Sequence, residues 1–173
     1  MAVVETKKIR NVALLGHGGC GKTSLAEAMI YLTGGSDRMG KVTDGNTVSD
    51  YDAEEIKRGF SLSASLLNMT WKDVKINLLD TPGYLDFVGE AAQALRVADS
   101  AIIVVDGKAG IEIGTELAWN YANDAGLPRA FFINKFDDNE ARFARVLDSL
   151  HAAFGKHICP LTIPMVKDGV VTG

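Results

Sequence analysis

The chain has few cysteines, no long apolar run and no excess of positive charge, and each shortage narrows what it can be. Its two cysteines, Cys20 and Cys159, stand in no CxxC or paired spacing, so no disulfide framework is indicated. No apolar run approaches the roughly eighteen residues that span a bilayer as a helix. Met1-Ala2-Val3-Val4-Glu5-Thr6-Lys7-Lys8 meets charge almost at once, unlike a secretory leader. The expectation is a cytoplasmic chain with no membrane partner. Eighteen basic against twenty-two acidic side chains leave a net charge of −4. A domain that grips nucleic acid through its phosphates is more often basic. Any work on an RNA-rich partner is therefore expected to depend on other domains. There is no internal repeat and no low-complexity tract. The 173 residues fit one domain, expected to be monomeric.

What is present alternates between strand and helix. Residues 9–15 form a short apolar run ending in glycine, which suits a strand buried on both faces. Residues 22–32 are good helix formers with Leu25, Ala28, Met29 and Leu32 on one stripe and Gly34 as end cap. The 26 residues from 34 to 59 are rich in Gly, Asp, Ser and Thr, a length of loop that is usually functional or disordered. Strands are predicted at 61–71 and 74–79, paired antiparallel through Lys72-Asp73. A helix over 87–97, a strand over 101–105, a helix over 112–124, a strand over 130–133 and a helix over 139–154 follow. A last strand is predicted at 161–166, with Asp168-Gly169 as a turn. This order predicts an α/β fold, a mostly parallel sheet with one antiparallel strand and helices on both faces. Ligands of such sheets bind at the carboxyl ends of the strands.

Gly16-His17-Gly18-Gly19-Cys20-Gly21-Lys22-Thr23 lies between the first strand and the first helix and matches the Walker A pattern of P-loop NTPases. Its glycines let backbone N–H groups wrap phosphates at a helix start. His17, Gly18, Gly19, Cys20, Gly21 and Ser24 are expected to line the phosphates. Lys22 is expected to reach the β- and γ-phosphates during catalysis, and the Thr23 hydroxyl to coordinate Mg²⁺. Asp80-Thr81-Pro82-Gly83 follows a strand, where an aspartate can hold Mg²⁺ through a water. Gly83 can bring its N–H to a γ-phosphate unobstructed. Alone that tetrapeptide is an ordinary turn; behind a phosphate loop it points to the same ligand.

Asn134-Lys135-Phe136-Asp137 follows the strand at 130–133 and resembles the Asn-Lys-x-Asp motif by which the GTPase superfamily reads guanine. A carboxylate accepts from the N1–H and the exocyclic amine of guanine, donors that adenine does not offer in that arrangement. The Lys135 stem can cover one face of the base. Asp137-x-x-Glu140 also fits a capping box, and the two roles can coexist. The motif disfavours an ATP-using kinase of the same loop class.

The resemblance narrows further. Gly16-His17, Glu54-Glu55-Ile56-Lys57-Arg58-Gly59, Asp80-Thr81-Pro82-Gly83-Tyr84-Leu85-Asp86-Phe87 and Leu95-Arg96-Val97-Ala98-Asp99-Ser100-Ala101 look like translational GTPases, nearest to elongation factor G and its paralogues. That resemblance implies a GTP/GDP switch with Mg²⁺, acting on the ribosome through the full-length protein, with switch segments at 34–61 and 80–90. It assigns Ser61 to Mg²⁺ and residue 84 to the attacking water. Three departures accompany it. Gly19 stands where the family has aspartate, Ser61 where it has threonine, and Tyr84 where it has histidine. A phenol hydrogen-bonds but does not exchange a proton near neutral pH as an imidazole does. GTP binding with slow or differently activated hydrolysis is therefore a second expectation. Asp50, Asp52, Glu54 and Glu55 read mostly as a solvated acidic stretch. A Ser-Ala base-closing loop after Asn134 is absent. Residues 1–173 are thus expected to be a GTP-binding domain truncated within or before an inserted subdomain.

Overall fold

Four apolar runs and one alternating segment pair into a five-stranded sheet in the computed structural model, which describes residues 4–138, 140–167 and 170–171. The strands are β1 (Ile9–Gly16), β2 (Ser65–Trp71), β3 (Val74–Asp80), β4 (Ser100–Asp106) and β5 (Arg129–Asn134), in the order β2-β3-β1-β4-β5. β1 runs parallel to β3 and β4, β4 runs parallel to β5, and only β2 is antiparallel to its neighbour. The β2–β3 turn places Lys72 and Asp73 at φ 46° and 64°, the double left-handed geometry that matches strand twist in a tight hairpin.

Helices α1 (Lys22–Leu32), α2 (Ala53–Arg58), α3 (Val88–Leu95), α4 (Ile113–Asp124) and α5 (Phe143–Phe154) complete the fold. Successive side chains of a strand point to opposite faces, so β1 serves two cores. Ala13 and Leu15 pack with Ala91, Leu95, Ala118, Ala122, Val146 and Leu150 from α3, α4 and α5. Leu14 packs on the other side with Leu67, Leu78 and the α1 residues Ala26 and Ile30. Helices therefore cover both faces, as the alternation predicts. No helix among the described residues is long and apolar enough to cross a membrane.

Several details differ from the sequence reading. The buried stripe of α1 is Ala26, Glu27 and Ile30, whereas Leu32 is exposed. Its end holds: Gly34 has φ +72° and donates to Tyr31 O at 3.0 Å, while Gly35 donates to Ile30 O at 2.9 Å. This double bond pattern is the usual left-handed helix stop. The segment 34–59 is not all loop, because α2 forms behind a capping box of Asp52 and Glu55. The second strand starts at Ser65 rather than at 61. The helix predicted over 87–97 is α3, which starts at Val88 behind a 3₁₀ turn at Leu85–Phe87 and ends at Leu95. α5 starts at Phe143 behind Arg142, so Asp137 does not cap it. Residues 161–165 are not a strand. Instead a small ribbon joins β6 (Val166–Lys167) to β7 (Val170–Val171). The Asp168-Gly169 turn and Asn139 lie outside the described residues.

Candidate functional site

The phosphate loop, the Asp80 segment and the Asn134 segment all leave the carboxyl ends of parallel strands, so the sheet delivers them to one edge. Gly21, at φ +98°, starts α1 in a left-handed conformation, and a Cβ there would stand 2.2 Å from Asn134 Nδ2. The same Asn134 amide donates to Cys20 O at 3.0 Å, so this residue braces the loop from the end of β5. Lys22 is buried. Its ammonium donates to Gly16 O at 3.1 Å and His17 O at 2.9 Å. A cation held there by two neutral carbonyls still favours an incoming anion.

Beside it four side chains from four segments converge. Thr23 Oγ1 donates to Asp80 Oδ2 at 2.8 Å and lies 3.3 Å from Ser61 Oγ. The Ser61 hydroxyl donates to Asp50 Oδ1 at 2.6 Å. Burial pushes the Asp80 carboxyl up to about 6, with the Thr23 hydrogen bond and Lys22 working against that rise and Asp50 adding to it. Burial likewise raises Asp50, with Glu55 and Glu27 adding to it and the Ser61 and Thr47 hydrogen bonds opposing. Asp80 Oδ1 is buried without a hydrogen-bond partner of ordinary geometry. Hydroxyls and carboxylates are the oxygen donors that Mg²⁺ takes, usually one or two from protein and the rest from phosphates and water. Among the described residues no three His, Cys, Asp or Glu side chains form a cage of their own. The donor set fits a Mg²⁺ that arrives with a nucleotide, with Thr23, Ser61 and Asp80 as its protein contacts.

Gly83 lies hard against this group. A Cβ on it would be 2.3 Å from Lys22 Nζ and 2.7 Å from Gly18 N, so only glycine lets that backbone approach. Tyr84 follows, partly exposed, with its ring over Gly18. Gly18, Gly19, Lys22, Thr23, Ser24, Ser61, Gly83, Tyr84 and Lys135 border one cavity of about 190 Å³. At the other end Lys135 takes a left-handed φ of 60° and pairs with Asp106 Oδ2 at 2.8 Å. Burial would raise the Asp106 carboxyl, but Lys135 and the N–H groups of Ala109 and Lys108 hold it below the usual range. Asp137 stands exposed on the turn after β5. The residues around Lys22 and Thr23 are therefore assembled, and Lys135 borders the same cavity.

His17 ties the loop to α4. Its Nδ1 accepts from Gly114 N–H at 3.3 Å, and its Nε2 is 3.5 Å from Glu112 Oε1. A Cβ on Gly114 would be 2.6 Å from His17 Cα and 2.8 Å from Nδ1. Gly114→Ala is therefore expected to weaken GDP binding about tenfold by displacing His17. This should happen even though alanine favours a helix by about 1 kcal/mol over glycine. Titration with a fluorescent GDP analogue checks it; unchanged affinity with raised stability would sink the link.

Sequence reasoning missed the anchors of the segment between α1 and β2. Asp50 and Glu55 are buried rather than solvated, whereas Asp52 and Glu54 are exposed as expected. Glu55 Oε1 accepts from Leu62 N–H at 2.8 Å and Ser63 N–H at 3.1 Å, and Glu90 Oε2 accepts from Ala64 N–H at 2.7 Å. Glu27, fully buried in α1, accepts from the N–H groups of Gly40 and Val48. The spacing of Asp52 and Glu55 was a readable signal for α2; nothing local marked Glu27. Arg58 is exposed and pairs with Glu54 at 3.2 Å.

Known proteins share this arrangement. A family model described as the elongation factor Tu GTP binding domain matches residues 7–167. A mitochondrial ribosome-releasing factor 2 of Culex quinquefasciatus is 38% identical over 167 residues, which are 96% of this chain and 22% of that protein. Elongation factor G of Granulibacter bethesdensis is 38% identical over 165 residues, 95% of this chain and 24% of that protein. A crystal structure of a Thermus thermophilus protein superposes with a TM-score of 0.92 at 38% identity, covering 96% of this chain and 25% of that one. The chain thus spans a quarter or less of the length of these relatives.

Proposed function

The chain belongs to the family of elongation factor Tu GTP-binding domains, and we propose that it binds GTP and GDP with Mg²⁺ and hydrolyses GTP as the nucleotide switch of an elongation-factor-G-like protein working on the ribosome. The observation that carries the reading is the Thr23–Asp80–Ser61 cluster beside buried Lys22. Lys22 is placed to balance charge on the β- and γ-phosphates, and the Gly83 N–H to donate to the terminal one. Thr23, Ser61 and Asp80 would hold Mg²⁺, which supplies charge neutralisation between those phosphates. Asn134 keeps the base loop against the phosphate loop, so that Asp137 can accept from guanine while the Lys135 stem covers it. A cytoplasmic setting and a monomeric domain go with this reading. Thermal shifts of the chain with Mg²⁺ and GDP, GTP or ADP test it. Stabilisation by both guanine nucleotides is expected, and stabilisation by ADP alone would end the guanine assignment.

A second reading, a nucleotide sensor with little hydrolysis, is favoured by Tyr84 at the position of the attacking water. In the full-length protein Tyr84→His is expected to raise ribosome-stimulated turnover by at least about tenfold, since a positioned acid–base group contributes more than that in most enzymes. A substitution that lowers turnover would show that the phenol itself serves the reaction.

A further inference from the structure

The loop after β4 carries charges that no phosphate or base contact accounts for. Asp106 and Asn134 are register partners at the ends of β4 and β5, so the two loops that follow start side by side. Asp106 Oδ1 accepts from Lys108 N–H at 2.8 Å and Ala109 N–H at 3.0 Å, which fixes the turn that presents Lys108. Gly107 N–H donates to Asn134 O at 2.8 Å, and a Cβ on Gly107 would stand 2.7 Å from that oxygen. Across this contact Lys108 Nζ lies 2.7 Å from Glu140 Oε2 and 3.7 Å from Asp138 Oδ2. Asp138 Oδ1 in turn accepts from Glu140 N–H at 2.8 Å, and the Asp138 N–H donates to Lys135 O at 3.2 Å. That last bond closes a turn from Lys135 to Asp138 with Asp137 inside it.

Four carboxylates stand in the two loops: Asp106, Asp137, Asp138 and Glu140. Lys135 pairs with Asp106, and Lys108 with Asp138 and Glu140. Asp137, exposed between them, takes part in none of these pairs. Without Lys108, three like charges within four residues would push one another apart. With it, Asp138 and Glu140 are drawn toward the β4 loop, and Asp137 is the carboxylate left for two neutral N–H donors. We infer that Lys108 is a positioning residue for Asp137, fastening the base-reading turn to the β4 loop and so sharpening the choice of guanine without touching the base. The inference rests on the guanine reading above. Exposed ion pairs contribute modestly and are screened by salt, so the effect is a few-fold and salt-sensitive.

The test is competition of GDP and inosine diphosphate, each with Mg²⁺, against a fluorescent GDP analogue bound to the chain. The hypoxanthine base keeps N1–H but lacks the exocyclic amine, so the affinity ratio reads the placement of Asp137. Phosphate contacts are the same for both nucleotides and cancel in the ratio. Lys108→Ala is expected to lower the ratio about threefold, the size an exposed ion pair can carry, and Lys108→Arg to keep it. Lys108→Glu should lower it about tenfold, because repulsion replaces attraction. Adding Glu140→Lys to Lys108→Glu should restore most of that loss. In the wild type about 1 M salt, with a Debye length of about 3 Å, should bring the ratio down to that of Lys108→Ala. Equal losses for both nucleotides, or an unchanged ratio in Lys108→Glu, would overturn the inference. A wild type that binds ADP in preference to GDP would instead sink the guanine reading, a result visible before any variant is compared.

Discussion

Asp80→Asn is expected to make the ligand-free chain more stable at pH 7 while weakening Mg²⁺-dependent nucleotide binding on the order of a hundredfold. In an unfolded chain this carboxyl titrates at 3.8, and in the folded chain at about 6. The fold holds the proton more tightly, so this group's contribution is greatest below pH 3.8 and is lost as pH rises from there to about 6. The loss amounts to roughly 3 kcal/mol when each pKa unit is worth about 1.4 kcal/mol. At pH 7 this fully buried carboxylate is thus a standing cost to the ligand-free fold. Asparagine avoids that cost and still accepts from Thr23. It cannot, however, present a negative oxygen to a cation. Urea midpoints at pH 5 and pH 7 check the first half: the wild type should gain on acidification, and the gap between the two proteins should narrow. A variant less stable than wild type at pH 7 would contradict the argument. Titration of a fluorescent GTP analogue with and without Mg²⁺ checks the second half.

That trade explains why much of the site is legible in sequence. Strand runs announce themselves because both faces of β1 and β4 are covered, leaving no place for a polar residue from Ala13 to Leu15 or from Ile103 to Val105. The phosphate loop is legible because its chemistry needs glycines at fixed places, and those places break every other local preference. The segment between α1 and β2 is different. Its order rests on single carboxylates reaching backbone N–H groups many residues away, as Glu55 does to Leu62 and Glu90 to Ala64. Such contacts have no period. An acidic residue therefore reads as solvated until the fold shows what it accepts from, which is why sequence alone misplaces Asp50 along with Glu55. The α1 stripe is half right for the same reason: Leu25 and Met29 do pack on the core, but counting Glu27 as a surface residue rotates the buried face toward Leu32.

Glu27→Ala should accordingly have an effect far larger than its sequence context implies. Both oxygens are used, accepting from Gly40 N–H at 2.9 Å and from Val48 N–H. Gly40 must be glycine, since a Cβ would lie 2.5 Å from Glu27 Oε2 and 2.7 Å from Asn46 O. The held segment leads on through Thr47, whose hydroxyl accepts from Asp50 N–H at 3.3 Å, to the Asp50–Ser61–Thr23 contacts. Truncation to alanine leaves two N–H groups without acceptors, worth about 1–3 kcal/mol each if they stay buried. The cheaper response is for residues 38–52 to open to water, so the loss should appear as local unfolding rather than as a shift of the whole fold. Amide exchange at Gly40 and Val48 should rise by about a hundredfold or more, and proteases should cleave within residues 38–58 before the sheet unfolds. Glu27→Gln, which keeps one carbonyl acceptor, should fall between. If exchange at those amides is unchanged in Glu27→Ala, the segment between α1 and β2 is held by Glu55, Glu90 and Ser61 alone. If it rises while Mg²⁺-dependent nucleotide affinity falls in step, a helix residue outside every recognisable motif sets whether Ser61 stays beside Thr23.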